Sequence, residues 1–120
     1  MKGTMIIIFS DGTESQRNYT MCAPTLEELQ AYLCGDVELI PRFTNFLHEG
    51  KRCTCVALCN MDGKRLNLPK NLVATNLWTR SSGLNYDVLC GPVLVCFGDR
   101  EFMEASCVAH LYFRTEKFDA

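Results

Sequence analysis

The stretch Pro24–Gly35, PTLEELQAYLCG, determines the most clearly predicted element of the fold. Thr25 suits a helix N-cap because its hydroxyl can accept a hydrogen bond from the amide of Glu28, whose carboxylate can in turn accept from the Thr25 amide. Three leucines then recur at helical spacing: Leu26, Leu29 and Leu33. Gly35 suits the left-handed residue that ends many helices. The sequence therefore predicts a helix over residues 25–34.

Strand patterns lie on both sides of this helix. Met5–Ser10 contains three consecutive isoleucines, and the turn dipeptide Asp11-Gly12 allows Thr13–Thr20 to return as an antiparallel neighbour. After the helix, Val37–Ile40 forms a short predicted strand that ends at Pro41. A hairpin, a helix and a further strand in this order are typical of an α+β protein.

The middle of the chain predicts a second hairpin. Cys53–Cys59 is apolar on both faces apart from Thr54, and its odd positions are small, so we expect it inside a sheet with a close neighbour over its small face. A polar connection, Thr44–Thr54, leads into it. Asn60–Gly63 is a turn sequence that predicts a returning strand over Lys64–Leu68.

The second half of the chain alternates between helix and strand signals. Pro69 suits the first turn of a short helix over Asn71–Leu77. Val88–Cys90 and Val93–Phe97 are predicted as a strand pair, or as one strand bent at Gly91-Pro92. Because proline lacks an amide donor, we expect this unit near a sheet edge or a bulge.

The C-terminal segment Glu101–Arg114 fits both helical and strand spacing, and the acidic residues at its start favour a helix. Taken together, the patterns predict a single α+β domain over residues 1–120. We expect a mixed or mainly antiparallel sheet of five or six strands, one main helix at about residues 25–34, and one or two shorter helices.

The charge is unevenly distributed. The net charge is −2, yet residues 42–80 hold seven basic residues against two acidic ones, so this segment is +5 and the rest of the chain is −7. A basic surface for duplex nucleic acid is therefore not expected. A local patch that binds an anion is compatible with this charge distribution.

The eight cysteines are predicted to be reduced, buried thiols rather than a disulfide framework. The longest early apolar run, Met5–Phe9, is much shorter than a signal-peptide core, and no stretch approaches the roughly 20 apolar residues of a membrane span. We therefore expect an intracellular, cytoplasmic protein that does not associate with a membrane.

Metal binding and catalysis find little support in the sequence. Thiols at Cys53, Cys55 and Cys59 would lie ~6.6 Å and ~13 Å apart along an extended strand, whereas zinc ligands converge on one point. Three further residues are available to complete such a site: His48, Cys90 and Cys96. We expect core thiols, no metal and no cofactor. Cys53, which follows Lys51 and Arg52, is a candidate nucleophile. The favoured interpretation is a thiol at the edge of a strand, next to solvated lysine and arginine side chains, and no catalytic residue is predicted.

Anion binding is the chemistry that the basic segment supports best. Two cations on a predicted strand lead into a helix N-terminus, where free amides attract negative groups. The candidate ligand-binding residues are Lys64, Arg65, Lys70, Asn71 and Thr75. Two alternatives stay open: Lys64 and Arg65 solvate an exposed hairpin, and Asn71 caps the helix instead of binding a ligand.

Four segments resemble, in the right order, the family called domain of unknown function 3846. The segments are Gly35–Pro41, Leu58–Leu66, Leu68–Thr75 and Asp87–Val95, and the third matches the family's Leu-Pro-x-Asn-x-x-Ala-Thr signature. The resemblance covers roughly residues 24–103. The chain departs from the family pattern in its cysteine content, its Thr44–Thr54 connection and its extended C-terminus.

Members of that family are found largely in phages, large DNA viruses, plasmids and conjugative elements, so the resemblance implies an accessory role. Our leading hypothesis is a non-enzymatic accessory protein of a virus or mobile element. It would act in the host cytoplasm by binding a host protein or sequestering a small anionic, nucleotide-like ligand. The alternatives are a structural minor virion or assembly protein and, more remotely, a cysteine-dependent enzyme.

Overall fold

A computed structural model describes residues 1–84 and 87–105, which form seven strands and three helices. In chain order these are β1 (Gly3–Ile8), β2 (Glu14–Tyr19), α1 (Leu26–Leu33), β3 (Val37–Leu39), β4 (Asn45–His48), β5 (Lys51–Thr54), β6 (Val56–Asn60), α2 (Leu72–Ser82), β7 (Val93–Gly98) and α3 (Arg100–Met103).

Five of the strands form one antiparallel sheet in the order β2-β1-β7-β6-β3. Strand β7 lies at its centre, between β1 and β6, although it is the last of the strands in the described residues. Strands β4 and β5 form a separate two-stranded sheet. The predicted α+β class with a mainly antiparallel sheet of five strands is confirmed.

Both faces of the central strands are buried, which explains their nearly continuous hydrophobic sequences. One face packs against Leu29 and Leu33 of α1 and Phe102 of α3. The other packs against Ala74 and Trp78 of α2 and the loop that precedes β4. The small face of the predicted Cys53–Cys59 strand does have a close neighbour, because Cys55 and Ala57 belong to the same cluster of buried residues as Trp78 of α2.

Helix α1 begins as its sequence predicts. The Thr25 hydroxyl accepts a hydrogen bond from the Glu28 amide at 3.1 Å. The return bond of a capping box is replaced, since the Glu28 carboxylate accepts from the Tyr19 hydroxyl at 2.7 Å. This contact ties α1 to the outer strand β2, so a residue predicted to serve local capping contributes to tertiary structure.

The end of α1 differs from the prediction by one residue. Cys34, with φ of 58°, adopts the left-handed conformation that was expected of Gly35. Gly35 has a different reason to be glycine: a Cβ there would lie 2.7 Å from Nδ2 of Asn60. That amide donates to the Leu33 carbonyl oxygen at 2.9 Å and so joins the end of α1 to the end of β6.

The predicted strand Cys53–Cys59 is divided at Cys55. Residues before the division belong to β5 and pair with β4, so the expected polar connection Thr44–Thr54 is itself a hairpin. Its turn is closed by two left-handed residues, Glu49 and Gly50. The Cys55 amide donates to the Thr44 carbonyl oxygen at 2.8 Å, and the chain enters the main sheet immediately afterwards.

The strand predicted over Lys64–Leu68 is wrong. Residues 61–67 form successive turns, with the Leu66 amide donating to Asp62 at 2.9 Å and the Leu68 amide donating to Gly63 at 2.9 Å. A returning strand has no place beside β6 because β3 and β7 already occupy both of its edges. The turn instead crosses the end of the sheet.

The unit predicted around Gly91-Pro92 is correct only in part: Val93–Phe97 is a strand, β7, but Val88–Cys90 is not, and the expected position near a sheet edge or a bulge is wrong. Cys90 forms an isolated bridge with Lys70, and β7 begins at Val93 in the centre of the sheet. The central position is possible because Pro92 precedes the first strand residue, so the missing proline amide interrupts no ladder.

Two predicted helices also differ in extent. Helix α2 continues to Ser82, five residues beyond the predicted end at Leu77. At the C-terminal segment, the start of the predicted Glu101–Arg114 helix is present as α3. Residues 106–114 of that prediction lie outside the described residues.

Candidate ligand-binding cavity

A cavity of about 420 Å³ lies at one end of the main sheet. Strand β3 and Pro41 form one wall, the end of β6 and the turn at residues 61–65 form a second, and the segment 87–90 forms a third. The Trp78 ring contributes an apolar surface from α2. A cavity of this size falls in the range of small-molecule sites.

The turn at residues 61–67 is held in place by buried polar contacts. The Asn60 side chain is buried and accepts from the Asp62 amide at 2.8 Å, while its own amide group donates to Leu33. Gly63 approaches the opposite wall so closely that a Cβ there would lie 2.6 Å from the Cys90 carbonyl oxygen. These contacts fix the distance between the turn and the segment 87–90.

The mouth of the cavity carries charges of both signs. Nζ of Lys64 pairs with Oδ2 of Asp87, and Nη2 of Arg65 lies 3.1 Å from Oδ2 of Asp62. The hydrogen bond from Lys64, with a second from the Val88 amide, lowers the pKa of Asp87 below its usual range. The hydrogen bond and charge of Asp62 raise the pKa of Arg65. Asp87 and Arg65 are therefore ionised at neutral pH.

Two cysteines, Cys59 and Cys90, also line the cavity. Burial, and secondarily the negative charge of Glu38, raises the pKa of the Cys59 thiol to about 12. The Cys59 sulfur is thus a neutral thiol at physiological pH and contributes an apolar, polarisable surface rather than a nucleophile.

Asn71 lies in the protein interior, where its side chain joins three elements. Its Nδ2 donates to the carbonyl oxygens of Ile8 at 2.9 Å and Gly91 at 3.0 Å, and its Oδ1 accepts from the Ala74 amide at 3.1 Å. The residue has no exposed surface. Asn71 therefore caps α2 and fastens it to the end of β1 and to the loop before β7.

Thr75 follows the same pattern one turn later. Its hydroxyl donates to the Asn71 carbonyl oxygen at 2.7 Å and accepts from the Leu89 amide at 3.0 Å. The described polar atoms of both side chains are engaged in contacts within the protein. Asn71 and Thr75 consequently serve the packing of α2, and neither residue lines the cavity.

The five predicted site residues thus separate into three environments. Lys64 and Arg65 lie together at the cavity mouth, whereas Asn71 and Thr75 lie in the interior. Lys70 is exposed, and its backbone forms an isolated β-bridge with Cys90. Sequence reasoning did not select Asp87 or Trp78 as site residues. Asp62 could have been predicted to pair with Arg65, because the two residues are three positions apart in sequence. Asp87, in contrast, reaches Lys64 only through tertiary structure.

The described residues also bear on the other sequence predictions. Seven cysteines in residues 1–84 and 87–105 are free thiols; Cys55 and Cys96 are buried as expected, but Cys22 and Cys34 are exposed. In the same ranges, no three His, Cys, Asp or Glu side chains are grouped to hold a metal ion. No helix in that part of the chain combines the length and apolar character needed to cross a membrane.

Comparison with known proteins identifies one family. The family model for a domain of unknown function, DUF3846, matches residues 1–114, a longer span than the residues 24–103 that carry the resemblance in sequence. No curated protein and no solved structure matches the chain. Because the family model covers nearly the whole sequence, the chain belongs to the DUF3846 family.

Proposed function

We propose that this protein is a non-catalytic binding protein that captures a small ligand in the cavity beside β3, with an anionic group of the ligand at Lys64 and Arg65. The observation that carries the proposal is the concave site itself. It combines two adjacent cations at its mouth with an apolar wall that includes Leu39, Ile40 and Trp78.

The shape of the site favours a small molecule over a protein partner. Small-molecule sites are concave and mostly apolar, with a few polar groups that orient the ligand. The cavity has this arrangement, since Ile40 and Trp78 in its lining are buried whereas the side chains of Lys64 and Arg65 are exposed. A ligand with a flat apolar body and a single anionic group, such as a nucleoside monophosphate, would match both parts.

The anion site in this proposal differs from a helix N-terminus. Asn71, the residue that caps α2, is buried, and its Oδ1 already accepts from the Ala74 amide. Recognition would therefore depend on the Lys64 ammonium and the Arg65 guanidinium, whose planar donors suit carboxylates and phosphates.

Two further observations support a binding role without catalysis. The Cys59 thiol is protonated at neutral pH, so it is a poor nucleophile, and the Asp87 carboxylate is ionised in contact with Lys64. The resemblance to proteins of phages and mobile elements supports the accessory part of the proposal, with action in the host cytoplasm.

A ligand screen tests this proposal. Thermal denaturation would be followed in the presence of a panel of nucleoside monophosphates and other small organic anions, and hits would be measured by calorimetry. A ligand at about one hundred times its Kd stabilises the folded state by about 2.7 kcal/mol, which is easily detected as a rise in Tm.

Site variants decide whether a hit uses the cavity. Lys64→Met combined with Arg65→Met is expected to weaken binding at least about tenfold. The exposed Lys70→Met is the control, because it removes one positive charge outside the cavity lining, and it is expected to retain binding. Equal losses in both proteins, or no stabilising anion in the panel, would contradict the proposal.

A further inference from the structure

We infer that Asp87 is a built-in competitor for the ligand's anionic group, and that it determines which anions the cavity admits. In the absence of ligand its carboxylate lies at Lys64, where the proposed anionic group would bind. This inference rests on the proposed function and adds a residue that sets its selectivity.

The Asp87 carboxylate is oriented from both sides. Its Oδ2 contacts Nζ of Lys64, which belongs to the turn on the other wall of the cavity. Its Oδ1 accepts from the Val88 amide at 2.7 Å, a local bond that holds the carboxylate beside its own backbone. The pair therefore spans the cavity mouth from the segment 87–90 to the turn at residues 61–65.

The ion pair between Lys64 and Asp87 can separate at little cost in free energy. The side chains of Lys64 and Asp87 are 59% and 56% exposed, so both charges stay hydrated when they separate, and ion pairs of this kind contribute little stability. A ligand anion can thus replace the Asp87 carboxylate at Lys64 without leaving a buried charge unpaired.

The charge balance of the mouth makes the competition selective. Lys64 and Arg65 are each paired with a carboxylate, and Glu38 adds a third acidic side chain to the lining. A simple anion such as inorganic phosphate therefore meets two neutralised cations and a net negative surface. A ligand whose apolar body also packs against the cavity wall gains the additional free energy needed to displace Asp87.

Inorganic phosphate is the appropriate probe, because it has charge but no apolar body. Phosphate affinity would be measured by NMR titration of the amides of residues 61–65 in the wild-type protein and in Asp87→Asn. The asparagine keeps an oxygen that can accept from Val88 while removing the competing charge. We expect Asp87→Asn to bind phosphate about threefold more tightly than wild type, because it removes both the competing carboxylate and its repulsion of the phosphate.

Two controls make the result specific to the mouth of the cavity. Glu104→Gln frees Arg100 from an equally exposed ion pair elsewhere on the molecule, and it should leave phosphate affinity unchanged. Adding Lys64→Met to Asp87→Asn should abolish the gain. Asp87→Ala, which removes the carboxylate without adding an amide, should show the same gain and guards against an effect of the asparagine itself.

The inference is overturned if Asp87→Asn and Asp87→Ala bind phosphate no better than wild type, or if Glu104→Gln gains as much as they do. Its failure is distinguishable from failure of the proposed function. Wild-type binding of an organic anion without a gain in the Asp87 variants would remove the inference alone. If the Asp87 variants bind phosphate more tightly through Lys64, but neither they nor the wild-type protein bind any organic anion, the proposed function alone would be removed.

Discussion

The turn at residues 61–67 and the start of α2 are neighbours in sequence but lie in opposite environments. The Lys64 and Arg65 side chains are 59% and 72% exposed and pair with carboxylates at a cavity mouth. Asn71 has no exposed surface and bonds to Ile8, Gly91 and Ala74. Both regions belong to segments that resemble the family pattern, yet Lys64 and Arg65 line the cavity and Asn71 does not.

The contrast shows what the Leu-Pro-x-Asn-x-x-Ala-Thr signature does in this protein. Asn71 is required because one amide side chain satisfies two carbonyl oxygens and a helix amide in the interior. Ala74, which has no exposed surface, allows α2 to pack closely on the sheet. The signature therefore specifies how α2 docks, while the residues proposed to bind a ligand precede it.

The largest expected effect is on the buried side of the comparison. Asn71→Ala leaves the carbonyl oxygens of Ile8 and Gly91 and the Ala74 amide without their partner, so it should lower the free energy of unfolding by about 4 kcal/mol. Urea denaturation measures the change. Asn76→Ala, on the exposed face of the same helix, is the matched control and should change stability by less than about 0.5 kcal/mol.

A similar loss in both asparagine variants would contradict the anchoring role of Asn71. A loss below about 1 kcal/mol in Asn71→Ala would do the same, since an unsatisfied buried polar group costs more than that.

The second prediction concerns the contact between the turn and the segment 87–90, which forms the opposite wall of the cavity. In Gly63→Ala the new methyl group would lie 2.6 Å from the Cys90 carbonyl oxygen, so the turn and the segment 87–90 must move apart. Overpacking of this kind is expected to cost about 2 kcal/mol. Chemical denaturation gives the stability change, and an unchanged midpoint would mean that the two walls of the cavity are not rigidly opposed.

Thr75 is expected to show a smaller effect on the buried side. Thr75→Val keeps the shape of the side chain but removes its bonds to Asn71 and Leu89, which should cost about 1.5 kcal/mol. Thr79→Val removes a single bond, to the Thr75 carbonyl oxygen, from a half-buried position, so it should cost less. Thermal and urea melts of the two variants check the order, and a reversed order would contradict the bridging role of Thr75.

The exposed side of the comparison should show the smallest effect on stability. Lys64→Met breaks an exposed ion pair and is expected to change the free energy of unfolding by less than about 0.5 kcal/mol. A destabilisation as large as that of Thr75→Val would mean that Lys64 supports the fold, and a loss of ligand binding could then no longer be assigned to the cavity.

The sequence was sufficient for elements defined by local chemistry. The Thr25 cap, the leucine spacing of α1 and the hairpin of β1 and β2 all follow from nearby residues. It was insufficient where distant strands compete for the same edge. Nothing near Lys64–Leu68 indicates that β3 and β7 already flank β6, so a turn was mistaken for a strand.

The site shows the same division. Lys64 and Arg65 were selected from their charge and position, and they do lie at a cavity. Asp87 and Trp78 come from separate segments, and only the docking of α2 and the path before β7 bring them to the same place. The orientation of the α2 N-terminus was also not predictable, because the partners of Asn71 are 63 and 20 residues away in sequence.

The most direct test of the cavity as the binding site is an NMR titration of the isotopically labelled protein with the tightest organic anion from the screen. Saturable shifts are predicted for the amides of residues 61–65 and 87–90, at a ligand concentration that leaves the outer strand β2 and helix α3 unchanged. Shifts centred on β2 or α3, with the two cavity walls unaffected, would contradict the account.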